Sequence, residues 1–328
     1  MPPELNKYLI PSVVSRLSNM ELKAKSVVEG FMTGLHKSPY HGFSVEFAEH
    51  RQYMPGDDLK FLDWKVYART GRYYVKRFEE ETNLKSYILM DISKSMDFSS
   101  NPSSKKETTQ NKNTFSKIFG KKANEIKESK SYLTKLEYGS YVAASLAYLM
   151  LLQRDAISLT TYDTQIQSYI NPRATDTNLR LILNNLNNIQ STSKTGTARC
   201  LNEIAGKVKR RGLVIVISDL FDDQKEVMSA LRHFKYSKNE VIVFQILDPI
   251  ELSFLSGNPV TLKDVETNEE MFSQPFAMQK SYQEAVQEFV ATYKAECAKS
   301  DIDYVMLSTE NTFDKALISY LSKRKKLL

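Results

Sequence analysis

Three short stretches carry oxygen-bearing side chains at spacings that chemistry can use: Asp91-x-Ser93-x-Ser95, Gly196-Thr197 and Ser218-Asp219. The first follows the apolar run Tyr87-Ile88-Leu89-Met90, the last follows Leu213-Val214-Ile215-Val216-Ile217. Continuous runs of this kind belong to strands buried on both faces of a parallel sheet, so each aspartate falls at a strand's carboxyl end. Thr197 falls at the start of a predicted helix. In a doubly wound sheet, strand ends and helix starts meet in one crevice, where ligands bind. Ser93 and Ser95, two apart on an extended turn, can face the same way. The candidate donors Asp91, Ser93, Ser95, Thr197 and Asp219 are all oxygens, with no His or Cys among them. That set selects a hard cation, Mg2+, or Mn2+ or Ca2+, over zinc or iron. Mg2+ is octahedral and retains waters, so these groups leave a position that an acidic side chain of another protein could fill.

The surrounding pattern must place these stretches. Apolar spacing predicts a helix from Glu4 to about Gly34, kinked or restarted at Pro11. Residues 36–81 are irregular, with a turn at Pro55-Gly56-Asp57 and a strand over Tyr73–Glu79. Arg51, Asp57, Asp58, Asp63 and Arg69 stand beside aromatics there. They are expected to form an ion-pair network that fixes the segment against the sheet, with a partner-docking surface as the sharper alternative. The opening strand is Ser86–Asp91. Residues 98–134 are rich in Ser, Asn, Thr and Lys and read as a flexible insert, with a short amphipathic turn possible at 114–127. A buried crossover helix is expected over Lys135–Leu152, then strands Ala156–Tyr162 and Gln165–Ile170 around Asp163-Thr164. Helices follow at about Thr177–Ile189 and from Gly196-Thr197 to about Lys209. Strand Gly212–Asp219, helix Gln224–Phe234 and strand Glu240–Leu247 come next. Residues 249–275 read as excursions and short strands. Helix Ser281–Lys299, strand Asp303–Leu307 and helix Thr312–Lys323 close the pattern. The expected class is α/β, doubly wound, with a mainly parallel sheet. Residues 1–84 form an N-terminal helical and irregular β extension packed on a main domain, 85–328.

Composition narrows the function classes. With 328 residues, 41% of them apolar, the chain can bury a sizeable core. Its two cysteines, Cys200 and Cys297, form no CxxC pair, which fits a reducing compartment. Met1-Pro2-Pro3-Glu4-Leu5 has no basic stretch followed by an apolar core, so no signal peptide is expected. The apolar run Val142–Leu152 is shorter than the about 20 residues a membrane span needs. A cytoplasmic protein is expected. Of the net charge of +6, the stretch 98–134 contributes eight lysines less three glutamates, +5, which leaves +1 elsewhere. The basic excess is thus local, and no nucleic-acid partner is expected.

The trio of stretches resembles the metal-ion-dependent adhesion site of von Willebrand factor A domains. Further motifs extend the likeness over nearly the whole chain. Upstream stand Gly42-x-Ser44-x-Glu46-Phe47, Arg51-x-Tyr53-x-Pro55-Gly56-Asp57-Asp58, Asp63-Trp64 and Ala68-Arg69. Downstream stand Tyr304-x-x-Leu307-Ser308-Thr309 and Ala316-Leu317-x-x-Tyr320-Leu321. Together they resemble the bacterial family of unknown function, related to von Willebrand factor A domains, that is encoded beside MoxR-type AAA+ ATPases. The resemblance implies that Asp91, Ser93, Ser95, Thr197 and Asp219 hold the metal. It also implies binding rather than catalysis, with a MoxR-type ATPase as partner and a chaperone-adaptor role. The insert at 98–134 departs from such domains, which pass from the serines to the first helix by a short connection.

Enzyme readings fit less well. Lys194-Thr195-Gly196 matches the KTG element of penicillin-binding enzymes, but the nearby Ser191-x-x-Lys194 would have to share its lysine. A haloacid-dehalogenase phosphatase needs a second carboxylate where Ser93 stands. None of His36, His41, His50 or His233 lies in a base–nucleophile pattern. A non-enzymatic, metal-dependent interaction module is the expectation, with a metal-dependent hydrolase as the alternative.

Overall fold

The computed structural model describes residues 19–35, 50–53, 64–76, 84–100, 133–191, 195–208, 211–254, 260–263, 270–273 and 275–327. Helix α1 (Met20–Leu35) comes first, then β1 (His50–Gln52), α2 (Trp64–Thr70) and β2 (Tyr74–Lys76), with β1 and β2 paired antiparallel. The chain goes on through β3 (Lys85–Asp91), a 3-10 turn at Lys94–Asp97, α3 (Lys135–Leu152), β4 (Ala156–Tyr162), β5 (Ile166–Arg173), α4 (Asp176–Asn187) and α5 (Thr197–Lys207). It continues with β6 (Leu213–Ser218), α6 (Gln224–Tyr236), β7 (Glu240–Leu247) and α7 (Pro249–Ser253). The hairpin of β8 (Val260–Lys263) and β9 (Glu270–Ser273), then α8 (Pro275–Lys299), β10 (Asp303–Ser308) and α9 (Asp314–Leu327) complete it.

Six strands form the main sheet in the order β10-β7-β6-β3-β4-β5. All neighbours are parallel except β4 and β5. The chain winds outward from β3 to one edge, returns to β6, and winds outward to the other. The central pair β3–β6 is therefore the switch point, where a doubly wound sheet opens a crevice at its carboxyl edge. The doubly wound α/β class read from the sequence is the one the chain adopts.

Strand alternation explains the layering. Ile88 and Met90 of β3, Ile215 and Ile217 of β6, and Ile242 and Phe244 of β7 face one core, with α1, α3, α4 and α9. Tyr87 and Leu89, Val214 and Val216, and Val241 and Val243 face the other, with α5, α6 and α8. A period of two on strands sandwiched by helices produces both cores from one run of β-branched residues. Helix α3 is buried along nearly its whole length. Its two interior serines return their hydroxyls to the helix, Ser140 Oγ to Leu136 O at 2.8 Å and Ser145 Oγ to Tyr141 O at 2.7 Å. Both serine hydroxyls are thus satisfied within the helix.

Several expectations shift at their edges. Strand β5 runs on to Arg173 through Pro172, which an edge strand tolerates because one side of it needs no ladder donor. Helix α8 starts at Pro275 rather than Ser281, since proline suits a first helical turn. The stretch 249–275 holds α7 and the β8–β9 hairpin. The helix expected from Glu4 is described only from Met20, and Pro11 lies outside the described residues. So do the turn at 55–57, the partners Asp57, Asp58 and Asp63 of the expected ion-pair network, and the turn at 114–127. Among the described residues no helix is long and apolar enough to cross a membrane.

Gly139 sets how closely α3 lies on the sheet. A Cβ there would stand 3.1 Å from Ile246 Cδ1, 3.1 Å from Met90 Cε and 3.2 Å from Ile217 Cγ2, one side chain from each of β7, β3 and β6. Gly139→Val should lift α3 and destabilise the fold by about 2 kcal/mol, as overpacking of a filled core does. Urea unfolding checks this, and an unchanged midpoint would contradict the close packing.

Candidate metal site

The last residue of β3, Asp91, is fully buried. Its Oδ1 accepts the Ser93 backbone N–H at 2.9 Å. Its Oδ2 accepts the Ser218 hydroxyl at 2.6 Å and the Thr197 hydroxyl at 3.1 Å. One carboxylate thus gathers the ends of β3 and β6 and the start of α5. The Ser93 and Ser95 hydroxyls lie 3.1 Å apart, and Ser95 Oγ is 3.5 Å from Thr195 Oγ1. Asp219, just past β6, accepts the Phe221 N–H on Oδ1 at 3.2 Å. Its Oδ2 takes the Lys135 ammonium at 2.8 Å, and the same ammonium lies 2.6 Å from Glu251 Oε1. Asp91, Ser93, Thr197 and Asp219 are each 0% exposed, whereas Ser95 is half-buried. Ser95 is the side from which the cluster can be reached.

Local sequence explains each placement. Gly196 packs against the β4–β5 turn, where a Cβ would come within 2.9 Å of Thr164 Cα. That close approach lets α5 begin with Thr197 pointing at Asp91. The turn is held by buried Asp163, which accepts from Gln165 N at 2.9 Å and Gln167 Nε2 at 2.8 Å. After Asp219 the chain reverses through Leu220, which is buried and left-handed at φ 62. A leucine there carries backbone strain. It is offset by Leu220 N donating to Ser218 Oγ at 2.9 Å and Gln245 Nε2 donating to Asp219 O at 2.9 Å. Lys135 opens α3, whose start is fixed by a capping box between Thr134 and Glu137. Glu251 is held by a second box on α7, its Oε2 accepting Asp248 N at 2.8 Å.

The electrostatics show a shortage of positive charge. Burial, and then the neighbouring Asp219 carboxylate, push Asp91 from 3.8 up to about 6, against the opposing hydrogen bonds from Ser218 and Ser93. Burial alone would pull the Lys135 ammonium down, but Asp219 and Glu251 outweigh it and hold the lysine protonated. Three carboxyl groups, Asp91, Asp219 and Glu251, stand against one ammonium, Lys135, an excess of two acidic groups. A divalent cation would balance them. The remaining donors are hydroxyls, the oxygen chemistry that a hard cation takes. Among the described residues no group of three or more His, Cys, Asp or Glu is placed to hold a metal. The donor types gathered here, carboxylate and hydroxyl, would suit a hard cation such as Mg2+, Mn2+ or Ca2+ better than a soft one.

All five residues singled out from the sequence converge here. Four further ones join them: Ser218 bonds Asp91, Thr195 approaches Ser95, and Lys135 and Glu251 flank Asp219. Ser218 already stood in one of the three oxygen-bearing stretches, though not among the five candidate donors. Lys135 had one usable signal. A cation at the first residue of an apolar helix stands at the positive end of the helix dipole, where it is unfavourable unless a carboxylate waits for it.

Comparison with known proteins follows from this geometry. The family model described as "Protein of unknown function DUF58" matches residues 49–115 and 122–292. The chain belongs to this family, and the matched stretches contain all five candidate donors. The uncharacterized protein Rv1480 of Mycobacterium tuberculosis is 21% identical over 324 residues, 96% of this chain and 91% of the relative. An uncharacterized protein of Mycobacterium bovis, Mb1516, matches to the same extent. Among solved structures, the conserved hypothetical protein BatB from Bacteroides thetaiotaomicron shares 14% identity over 73% of this chain and 99% of its own, at TM-score 0.42. The SpRpn10 VWA domain shares 10% identity over 72% and 95%, at TM-score 0.34. The fold itself is α/β and doubly wound, mostly parallel with one antiparallel edge strand.

The raised Asp91 carboxyl has a consequence for stability. Well below 3.8 it is neutral in both the folded and the unfolded chain. Between 3.8 and about 6 the unfolded chain gives up the proton first, so the folded state loses stability as pH rises through that window. The loss is about 3 kcal/mol once pH exceeds the folded value. Asp91→Asn lacks it. In chelator, urea unfolding from pH 4 to 7.5 should move the stability difference between the two proteins toward Asp91→Asn by about that amount. A constant difference would refute the shift.

Proposed function

We propose that this protein is a metal-dependent protein-interaction module. The observation that supports the reading is the all-oxygen cluster at the switch point, with two buried carboxylates, Asp91 and Asp219, close enough to act on one another. Asp91, Ser93, Ser95, Thr197 and Asp219 would hold Mg2+. A bound Mg2+ supplies a Lewis-acidic point for one carboxylate of a partner. The protein's own residues do the rest. Asp91 orients the serine turn and the start of α5, Ser95 provides the open side, and the buried donors keep water away from the remainder.

The partner we propose is a MoxR-type AAA+ ATPase, served as an adaptor. This rests on the resemblance of the chain's motifs to the family found beside such ATPases. An acidic loop on the ATPase or its client would reach the cluster past Ser95. Thiol catalysis is not supported: burial pushes the Cys200 and Cys297 thiols up to about 12, so neither is a nucleophile at neutral pH.

Calorimetric titration of Mg2+ tests the proposal. The intact protein should bind one equivalent, and an Asp91→Ala/Ser93→Ala variant should lose about 1,000-fold or more of that affinity, because two adjacent donors go together. Equal binding by both proteins, or none by either, refutes the metal assignment. Capture of a MoxR-type ATPase on the immobilised protein should disappear in chelator. Capture that persists in chelator would leave the partner but remove the metal from its recognition.

A further inference from the structure

We infer that Lys135 is a tethered counter-cation of the oxygen cluster, sharing Asp219 with the bound metal and weakening the site's hold on it. This rests on the metal reading above. The Lys135 side chain is 0% exposed and its ammonium makes two short contacts, 2.8 Å to Asp219 Oδ2 and 2.6 Å to Glu251 Oε1. Phe221 and Phe98 wall it in, their ring centroids 4.8 Å and 6.0 Å from Nζ. No solvent competes for this charge, so it acts at nearly full strength on whatever lies beyond Asp219.

The geometry makes the lysine a competitor rather than a bystander. Asp219 has two oxygens. Oδ1 is engaged by Phe221 N and Oδ2 by Lys135. A cation that draws on Asp219 must either displace the ammonium from Oδ2 or accept a like charge one carboxylate away. Glu251 gives the ammonium a second seat. It is fixed there by its own bond to Asp248 N, so it can hold the lysine while Asp219 turns to a metal. The helix offers no reason for the lysine's place, since the amino end of α3 disfavours a cation. The two carboxylates account for it.

A purely structural role, stapling α3 to β6 and α7, would make loss of either partner act in one direction. Competition makes the two losses act in opposite directions. Lys135→Met removes the rival charge and should tighten Mg2+ binding by about tenfold or more. Glu251→Gln removes the second seat, leaves the ammonium on Asp219, and should weaken binding by about tenfold. The experiment is Mg2+ titration by calorimetry on the full chain and both variants, with thermal unfolding in chelator and in saturating Mg2+. Mg2+ should raise the melting temperature of Lys135→Met more than that of the unaltered protein. Shifts of the same sign in both variants, or no shift, overturn the inference while the unaltered protein still binds. Absence of binding in every protein overturns the metal reading, and this inference with it. If Lys135→Met fails to fold, Glu251→Gln decides alone, and unchanged or tighter binding there is the refuting result.

Discussion

Two carboxylates at the ends of adjacent central strands cannot both lie buried and charged without positive charge beside them. That constraint shapes the crevice. Asp91 responds by gathering hydrogen bonds from Ser93, Thr197 and Ser218 and by holding its proton more tightly than usual. Asp219 responds by taking the Lys135 ammonium. Removing one member of a buried ion pair typically costs about 3–5 kcal/mol, because the other is left without a partner. The cluster is therefore a local tension that the fold tolerates, and tensions of this kind concentrate at functional sites.

The sheet makes the tension affordable. Strands β3 and β6 are apolar on both faces, so they are anchored by two cores at once. Their carboxyl ends are then rigid enough to keep two like charges close. The left-handed Leu220 shows the same logic on a smaller scale. It turns the backbone back sharply after Asp219, and it lies in the second core, packed among the residues of α5, α6 and α8. A polar edge built on such strands is positioned by packing that it does not itself contribute to.

Much of this was legible in the sequence because it is local. Runs such as Leu213-Val214-Ile215-Val216-Ile217 announce a buried strand, and the residue after such a run falls at the edge where ligands bind. Asp91 and Asp219 were read that way, Ser93 and Ser95 from the turn after Asp91, and Thr197 from the start of a helix. Lys135 was not, because its partners stand 84 and 116 residues away and it directly follows a segment with eight lysines of its own. Beside those it reads as one more solvated charge. Glu251 was hidden for a related reason. It sits in a five-residue helix within a stretch that carries no periodic pattern. Long-range ion pairs leave no spacing to read, whereas strand alternation and helix caps do.

The two ends of the lysine-rich segment are joined beside this site. The Lys135 backbone N–H donates to Phe98 O at 3.2 Å, and Ser100 N donates to Asp248 Oδ2 at 3.0 Å. Phe98 and Lys135, on either side of that segment, are therefore direct backbone neighbours. Whatever is inserted there need bridge almost no distance, so its length and composition are free to vary while the oxygen cluster keeps its shape. The seam works as a graft point: a segment of another length could be set between these two residues without moving the oxygen cluster.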